Sequence, residues 1–203
     1  MIRACSRTAT LLLISIALAS GCGVQPQRAS QLFVLAPLAP DAVSTGVRTT
    51  NIPPLVIGPI NLPAYTERTA ILRLRQQSEL IAAPAARWAE PLDKNVARVL
   101  VENVSRLLGS DQVTALGGSV APGHLQVAID VTEFVAGDDG QVGLTTYWQI
   151  LRADGRTVVA SRKTHYQEAL QDKSTAAVVG AMSRSLAALS RDLAQALANA
   201  STP

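Results

Sequence analysis

An alternation of apolar and polar residues in the second half of the chain constrains the fold most. Residues 125–132 alternate in the way that a strand with one buried face requires, and residues 142–151 repeat the pattern. A third extended segment follows at residues 157–167. Asp138-Asp139-Gly140 and Asp154-Gly155 separate the three segments, and glycine accepts the positive φ of a tight turn. The pattern predicts a three-stranded antiparallel meander.

Two other segments have the 3.6-residue periodicity of amphipathic helices. The first has Pro91 at its predicted first helical position, Asp93 in its first turn and Gly109 at its exit. The second covers residues 174–199. Their predicted buried positions are Leu92, Val96, Val99, Leu100, Leu107 and Leu108 in the first helix, and Val179, Met182, Leu186, Leu189, Leu193 and Ala196 in the second.

Shorter apolar runs complete the predicted fold. Residues 55–57 form a buried strand that Gly58-Pro59 closes, and Pro59 and Pro63 make a rigid corner after it. Further strands are predicted at residues 32–35, 70–74 and 79–82, the last two as a hairpin. This order of elements predicts an α+β fold, in which two main helices pack on one face of a mostly antiparallel sheet.

The first 21 residues have the layout of a bacterial secretory signal. Arg3 and Arg7 precede an apolar stretch from Leu11 to Ala19, which is too short for a permanent membrane-spanning helix. Residues 18–22, LASGC, resemble a lipobox, whose cysteine is acylated after cleavage just before it. An ordinary cleaved signal followed by an incidental cysteine is the alternative.

The cysteine count supports lipidation at Cys22. The chain has two cysteines, Cys5 in the leader and Cys22, so the mature chain can form no internal disulfide. Gly23, rather than Asp, follows Cys22, which by resemblance to known sorting signals favours the periplasmic face of the outer membrane. The predicted organisation is a lipoprotein signal peptide at 1–21, a lipidated tether at 22–31 and a single domain at 32–200.

The charge of the chain gives no support for a nucleic-acid partner. Eighteen Lys and Arg residues stand against fifteen Asp and Glu residues, which gives a net charge of +3. Arg3 and Arg7 belong to the leader, so the mature chain has sixteen basic residues against fifteen acidic ones. The basic character therefore comes mostly from the leader, and nucleic-acid binding is not expected.

The sequence predicts neither catalysis nor a cofactor or metal. The two histidines, His124 and His165, have no second ligand at metal-binding spacing, and we interpret them as surface or structural residues. The chain has no nucleophile elbow and no phosphate-binding loop. Four arginines, Arg68, Arg73, Arg75 and Arg87, have two open interpretations: a site for anionic lipid headgroups, or the solvated face of a strand pair.

Two motifs stand out, VIGPINLPAYTER at residues 56–68 and RWAEPL at residues 87–92. Together with an early aromatic strand and a long final helix, they resemble the PqiC/YmbA family of ABC-type transport auxiliary lipoproteins. The resemblance covers nearly the whole mature chain. It implies a non-catalytic subunit of an MCE-type lipid transport system, whose acyl chains, such as palmitate, hold it in the outer membrane.

The resemblance also implies partners and an interface. The expected partners are an MCE-domain protein that bridges the periplasm and its ABC permease and ATPase; self-association is a further expectation. The candidate interface comprises Pro63, Tyr65, Arg68, Arg87 and Trp88. Trp88 has two open roles, one in the core and one as an interface anchor. The competing functions are a structural envelope lipoprotein that works without a transporter and a periplasmic enzyme.

Overall fold

The computed structural model describes residues 29–40, 52–118 and 120–200. The predicted signal peptide and Cys22 lie outside the described residues. The elements are β1 (Gln31–Phe33), β2 (Leu55–Asn61), a 3-10 helix (Ala64–Glu67), β3 (Ala70–Arg75), β4 (Glu79–Trp88), α1 (Leu92–Leu108), β5 (Val113–Ala115), β6 (Leu125–Ala136), β7 (Gln141–Arg152), β8 (Val158–Ala169) and α2 (Thr175–Ala200).

The eight strands of the described residues form one mixed sheet. β6, β7 and β8 pair antiparallel along almost their full lengths, which confirms the predicted meander. β3 and β4 form the predicted antiparallel hairpin. The shorter pairings of β1 with β4, β2 with β5, β2 with β6, and β3 with β6 are parallel. One edge of β6 pairs with β7. Along the other edge, β2 pairs with the first half of β6, and β3 pairs with it only at Ala136.

The core lies between one face of the sheet and the two helices. The predicted inward positions of β6 and β7 are buried, and Trp148 is 2% exposed. α1 and α2 contact each other and the sheet. Every predicted apolar position of α1 is buried, as are those of α2 apart from Ala196, which packs against the core while partly exposed. The structure confirms the predicted α+β class, with two helices on a sheet whose long ladders are antiparallel.

Helix α1 begins and ends close to the predicted residues. Pro91 is the residue before the helix rather than its first residue, one position from the prediction, and its carbonyl accepts from the N–H of Asn95. Asp93 lies in the first turn, where a negative charge interacts favourably with the helix dipole. Gly109 ends the helix with φ +63°, in the left-handed region that glycine adopts without steric cost.

The predicted end of β2 at Gly58-Pro59 is wrong. The strand continues to Asn61, and its register against β6 shifts between Ile57 and Ile60. Pro59 lies inside this irregularity, where the pairing of the two strands is interrupted. A proline is tolerated there, because no hydrogen bond from its backbone nitrogen is required. Pro63 instead comes directly before the 3-10 helix.

The sequence analysis also did not predict the course of residues 34–40, an extended segment that runs along helix α1 and that we call the N-terminal strap. Asn95 Oδ1 accepts from the N–H of Leu35 at 3.1 Å, and Asn103 Oδ1 accepts from the N–H of Leu38 at 2.6 Å. Leu35 is 1% exposed. The strap therefore ties the chain that follows β1 to helix α1.

Candidate functional site

The candidate interface residues lie at one end of the β3–β4 hairpin, which we call the hairpin base. The 3-10 helix places Pro63, Tyr65 and Arg68 just before β3, and Arg87 and Trp88 are the last residues of β4. Ala70 pairs with Arg87, and the N–H of Trp88 donates to the carbonyl of Thr69 at 2.8 Å. The antiparallel pairing thus brings the two sequence motifs to the same place.

Tyr65 and Trp88 belong to the interior of the hairpin base. Trp88 is 6% exposed, so of its two open roles the structure supports the one in the core. Tyr65 is half-buried, and its hydroxyl accepts from the N–H of Phe134 at 3.1 Å. Burial raises the pKa of the Tyr65 hydroxyl above its ordinary value. Both side chains line a small cavity of about 20 Å³.

Pro63, Arg68 and Arg87 form the accessible part of the hairpin base. Pro63 is partly exposed, and both arginines are exposed. In the described part of the chain, neither guanidinium has a hydrogen-bond or ion-pair partner. Both groups are therefore available to an anionic or hydrogen-bonding partner, for which the planar guanidinium fork is well suited.

The other two arginines lie toward the turn of the hairpin and behave differently. Arg73 shares its strand parity with buried Ile71, and its Nη2 donates to the carbonyls of Lys173 and Ser174 at 2.8 and 2.9 Å. Arg73 is partly exposed, and its guanidinium also holds the β8–α2 connection. Arg75 is exposed and pairs with Glu79 at 2.5 Å. The structure does not bring all four arginines into one site.

A groove of about 390 Å³ opens beside the turn of this hairpin. Its apolar lining includes Ile81, Pro84 and Leu170, and its polar lining includes Arg73, Asp138 and Lys173. The groove joins the hairpin, the β6–β7 turn and the β8–α2 connection, three segments that are distant in sequence. No periodic pattern marks such a groove, and sequence reasoning missed it.

The histidines have different surroundings. Thr145 Oγ1 donates to Glu133 Oε2 at 2.9 Å and accepts from His165 Nδ1 at 2.8 Å, which places a proton on Nδ1. A Cβ at Gly143 would come within 2.7 Å of Glu133 Oε1, so a larger residue there would displace that carboxylate. His124 Nδ1 lies 3.2 Å from the carbonyl oxygen of Ala121. Sequence reasoning missed the three-residue chain, because its members lie on three different strands.

Two further observations concern the described residues. Within residues 29–40, 52–118 and 120–200, no three His, Cys, Asp or Glu side chains are grouped to hold a metal ion. None of the helices in those same ranges combines the length and the apolar character needed to cross a membrane.

A mixed sheet covered on one face by two helices, with the N-terminal strap along α1 and two exposed arginines at the hairpin base, defines an α+β domain. The chain belongs to the family described as ABC-type transport auxiliary lipoprotein component, whose model matches residues 33–194. Membership makes it a lipoprotein component auxiliary to ABC-type transport, as the resemblance implied.

Solved structures share the fold at low identity. A crystal structure of an uncharacterized protein has a TM-score of 0.66 and 19% identity, over 82% of this chain and 97% of that chain. A DUF330-family protein from Xanthomonas campestris has a TM-score of 0.65 and 18% identity, over 81% of this chain and 93% of that one. At such identities the likeness shows the fold alone. No curated protein matches the chain.

Proposed function

We propose that this protein is a non-catalytic subunit of an ABC/MCE-type lipid transport system, anchored by acyl chains on Cys22 to the periplasmic face of the outer membrane. The observation that carries the proposal is the lipobox cysteine eleven residues before the segment that matches the family model, which begins at residue 33. A signal of this kind, directly in front of an auxiliary lipoprotein domain, supports a location at a membrane surface.

The anchor needs more than one acyl chain. A single chain holds a protein only marginally to a bilayer, whereas two or more anchor it stably. By resemblance to bacterial lipoproteins, Cys22 would carry three. The domain would then remain at the membrane surface and hold the outer-membrane end of the transport system.

The hairpin base is the proposed docking site for the periplasmic MCE-domain protein. Arg68 and Arg87 are exposed and lack partners within the described residues, and Pro63 gives a rigid surface beside them. Arginine is enriched at protein interfaces, because its guanidinium makes several directed hydrogen bonds to carboxylates and carbonyls. Tyr65 and Trp88 support this surface from inside.

Native co-purification tests the proposal. The protein is isolated from membranes as the wild type, as Arg68→Glu/Arg87→Glu, and as the matched control Arg156→Glu/Arg191→Glu, which reverses two other exposed arginines. We expect the MCE-domain protein with the wild type and the control, and a loss of roughly tenfold or more with the hairpin-base variant. The Cys22→Ser variant lacks the residue that is acylated, so we expect it to be lost from the membrane fraction.

Two results would contradict the proposal. Consistent absence of an MCE-domain protein from the wild-type sample would favour the alternative of a structural envelope lipoprotein without a transporter. Equal recovery with all variants would remove the hairpin base as the docking site while leaving the transporter assignment intact.

A further inference from the structure

The turn end of the hairpin exposes apolar side chains close together along one strand. Leu80 and Ile81 at the start of β4 are 40% and 36% exposed, and Pro84 is also exposed. β1 covers only the last three residues of β4, Ala86 to Trp88, so residues 79–85 form a free strand edge. Exposed apolar segments of this kind mark contacts with a protein or a membrane.

The backbone of this edge disfavours the addition of another strand. Pro84 has no N–H to donate, and Ala85 has φ +53°, which a regular ladder does not accommodate. The register of β4 against β3 also shifts in this region. A second copy or a partner strand would therefore find few regular hydrogen bonds here, whereas a lipid surface requires none.

The position of the proposed acyl anchor also favours a lipid surface as the partner of this edge. β1 runs parallel to β4, so the N-terminal end of β1 is directed toward the Glu79 end of β4. The N-terminal strap fixes Leu35 and Leu38 to α1. The residues after β1 therefore cannot add to the length of the tether, which consists only of the residues before β1. Nine residues from Cys22 to Gln31 span at most about 32 Å when fully extended. The stretch of β4 from Ala86, the partner of Gln31, to Glu79 spans about 23 Å, so the turn end lies within reach of the tether.

We propose that the turn end of the hairpin, with Leu80, Ile81 and Pro84 at its free edge, contacts the phospholipid surface in which the acyl chains are anchored. The inference rests on the proposed lipidation of Cys22. The contact is apolar rather than electrostatic, because the charges around the turn nearly balance: Arg73, Arg75 and Lys173 against Glu79, Asp138, Asp139 and Asp172. Zwitterionic phospholipid is therefore sufficient.

A site-specific fluorophore tests this orientation. The mature chain has no cysteine besides Cys22, whose sulfur is consumed by lipid, so a cysteine introduced elsewhere takes the label alone. Ile81→Cys reports on the proposed contact. Leu116→Cys is the matched control, since Leu116 is 54% exposed and follows β5, at the other end of the strand order from β1. The full lipidated chain is reconstituted into phosphatidylcholine vesicles that contain nitroxide-labelled phosphatidylcholine.

We expect both labelled proteins to float with the vesicles, and the nitroxide to quench the label at position 81 about threefold more than the label at position 116. The substitution Leu80→Asp places a charge at an exposed position of the proposed apolar contact. It should reduce quenching of the label at position 81 without changing flotation of the protein. Equal quenching at the two positions would overturn the proposed orientation.

Two other outcomes would also overturn the proposal, for different reasons. A label at position 81 that is shielded from both nitroxide lipid and aqueous iodide would show that a second copy covers the edge. Failure of both proteins to float would remove the anchor itself, and with it the outer-membrane part of the proposed function. A failed orientation with intact flotation leaves that function unaffected.

Discussion

At the scale of residues, the N-terminal strap is recognised by a short motif that occurs twice in helix α1. Asn95 and Arg98 bind the N–H and the carbonyl of Leu35, with Arg98 Nη2 3.1 Å from that carbonyl oxygen. Asn103 and Arg106 bind the same two groups of Leu38. The sequence repeats on both sides, as Asn-Val-x-Arg in the helix and as LAPLAP at residues 35–40. Paired donors and acceptors thus satisfy a buried backbone that has no ladder of its own.

Asn103→Ala tests the importance of this recognition. Asn103 is fully buried, and besides accepting from Leu38 it donates to Ser190 Oγ at 3.2 Å. Its loss leaves the Leu38 N–H without an acceptor, and we expect the free energy of unfolding to fall by about 2–3 kcal/mol in urea denaturation. Asn199→Ala, an exposed control on α2, should change it by less than about 0.5 kcal/mol. Equal effects would mean that the strap adds no stability.

At the scale of elements, two glycines in or next to helices differ in whether their backbone conformation requires glycine. Gly109 ends α1 at φ +63°, whereas Gly180 lies inside α2 and has no positive φ. A Cβ at Gly109 would meet nothing within 4 Å, so its constraint is the backbone angle alone. A Cβ at Gly180 would lie 3.7 Å from Arg184 Nη1, an ordinary contact.

The same substitution should therefore change stability in opposite directions. Gly109→Ala places a Cβ in the left-handed region and should lower the free energy of unfolding by about 1 kcal/mol. Gly180→Ala improves helix propensity and should raise it by about 0.5–1 kcal/mol. Thermal unfolding of the two variants beside the wild type measures both. Changes of the same sign would show that packing, rather than backbone conformation, dominates at one of the sites.

At the scale of the whole molecule, Tyr166 joins the meander to the last helix. Its hydroxyl donates to Asp192 Oδ2 at 2.7 Å, between β8 and α2. Burial of the ring and then the adjacent Asp192 carboxylate raise the pKa of Tyr166 well above its usual value. The folded protein therefore keeps this hydroxyl protonated at pH values where the unfolded chain ionises.

This difference predicts a loss of stability in alkaline solution. The unfolded tyrosine ionises near pH 10, so its contribution is complete below about pH 10 and declines as the pH rises further toward the higher pKa of the folded state. We expect the free energy of unfolding of the wild type to fall as the pH rises above about 10, and to fall less steeply in Tyr166→Phe. Urea titrations across this range give both slopes; identical slopes would exclude Tyr166 as a source.

Predictability from the sequence differs between the fold and the candidate site. Strand and helix periodicities identify the meander and both helices, because burial of one face leaves a regular pattern of apolar residues. The hairpin base was predicted as a set of five residues, but its division into buried Trp88 and Tyr65 and exposed Arg68 and Arg87 depends on how β4 meets β3. Arg73 shows the same limit, since its two carbonyl acceptors lie about a hundred residues away.

The sequence by itself determined the α+β class, the order of the elements apart from β5 and the 3-10 helix, and the helix end at Gly109, since each depends on local periodicity or backbone preference. Tertiary structure decided the parallel pairings of β1 with β4 and of β2 with β6, the course of the N-terminal strap, and the groove beside the hairpin turn. Those features join segments far apart along the chain. Long-range contacts of this kind follow from the packing of whole elements, and no local pattern records which elements will meet.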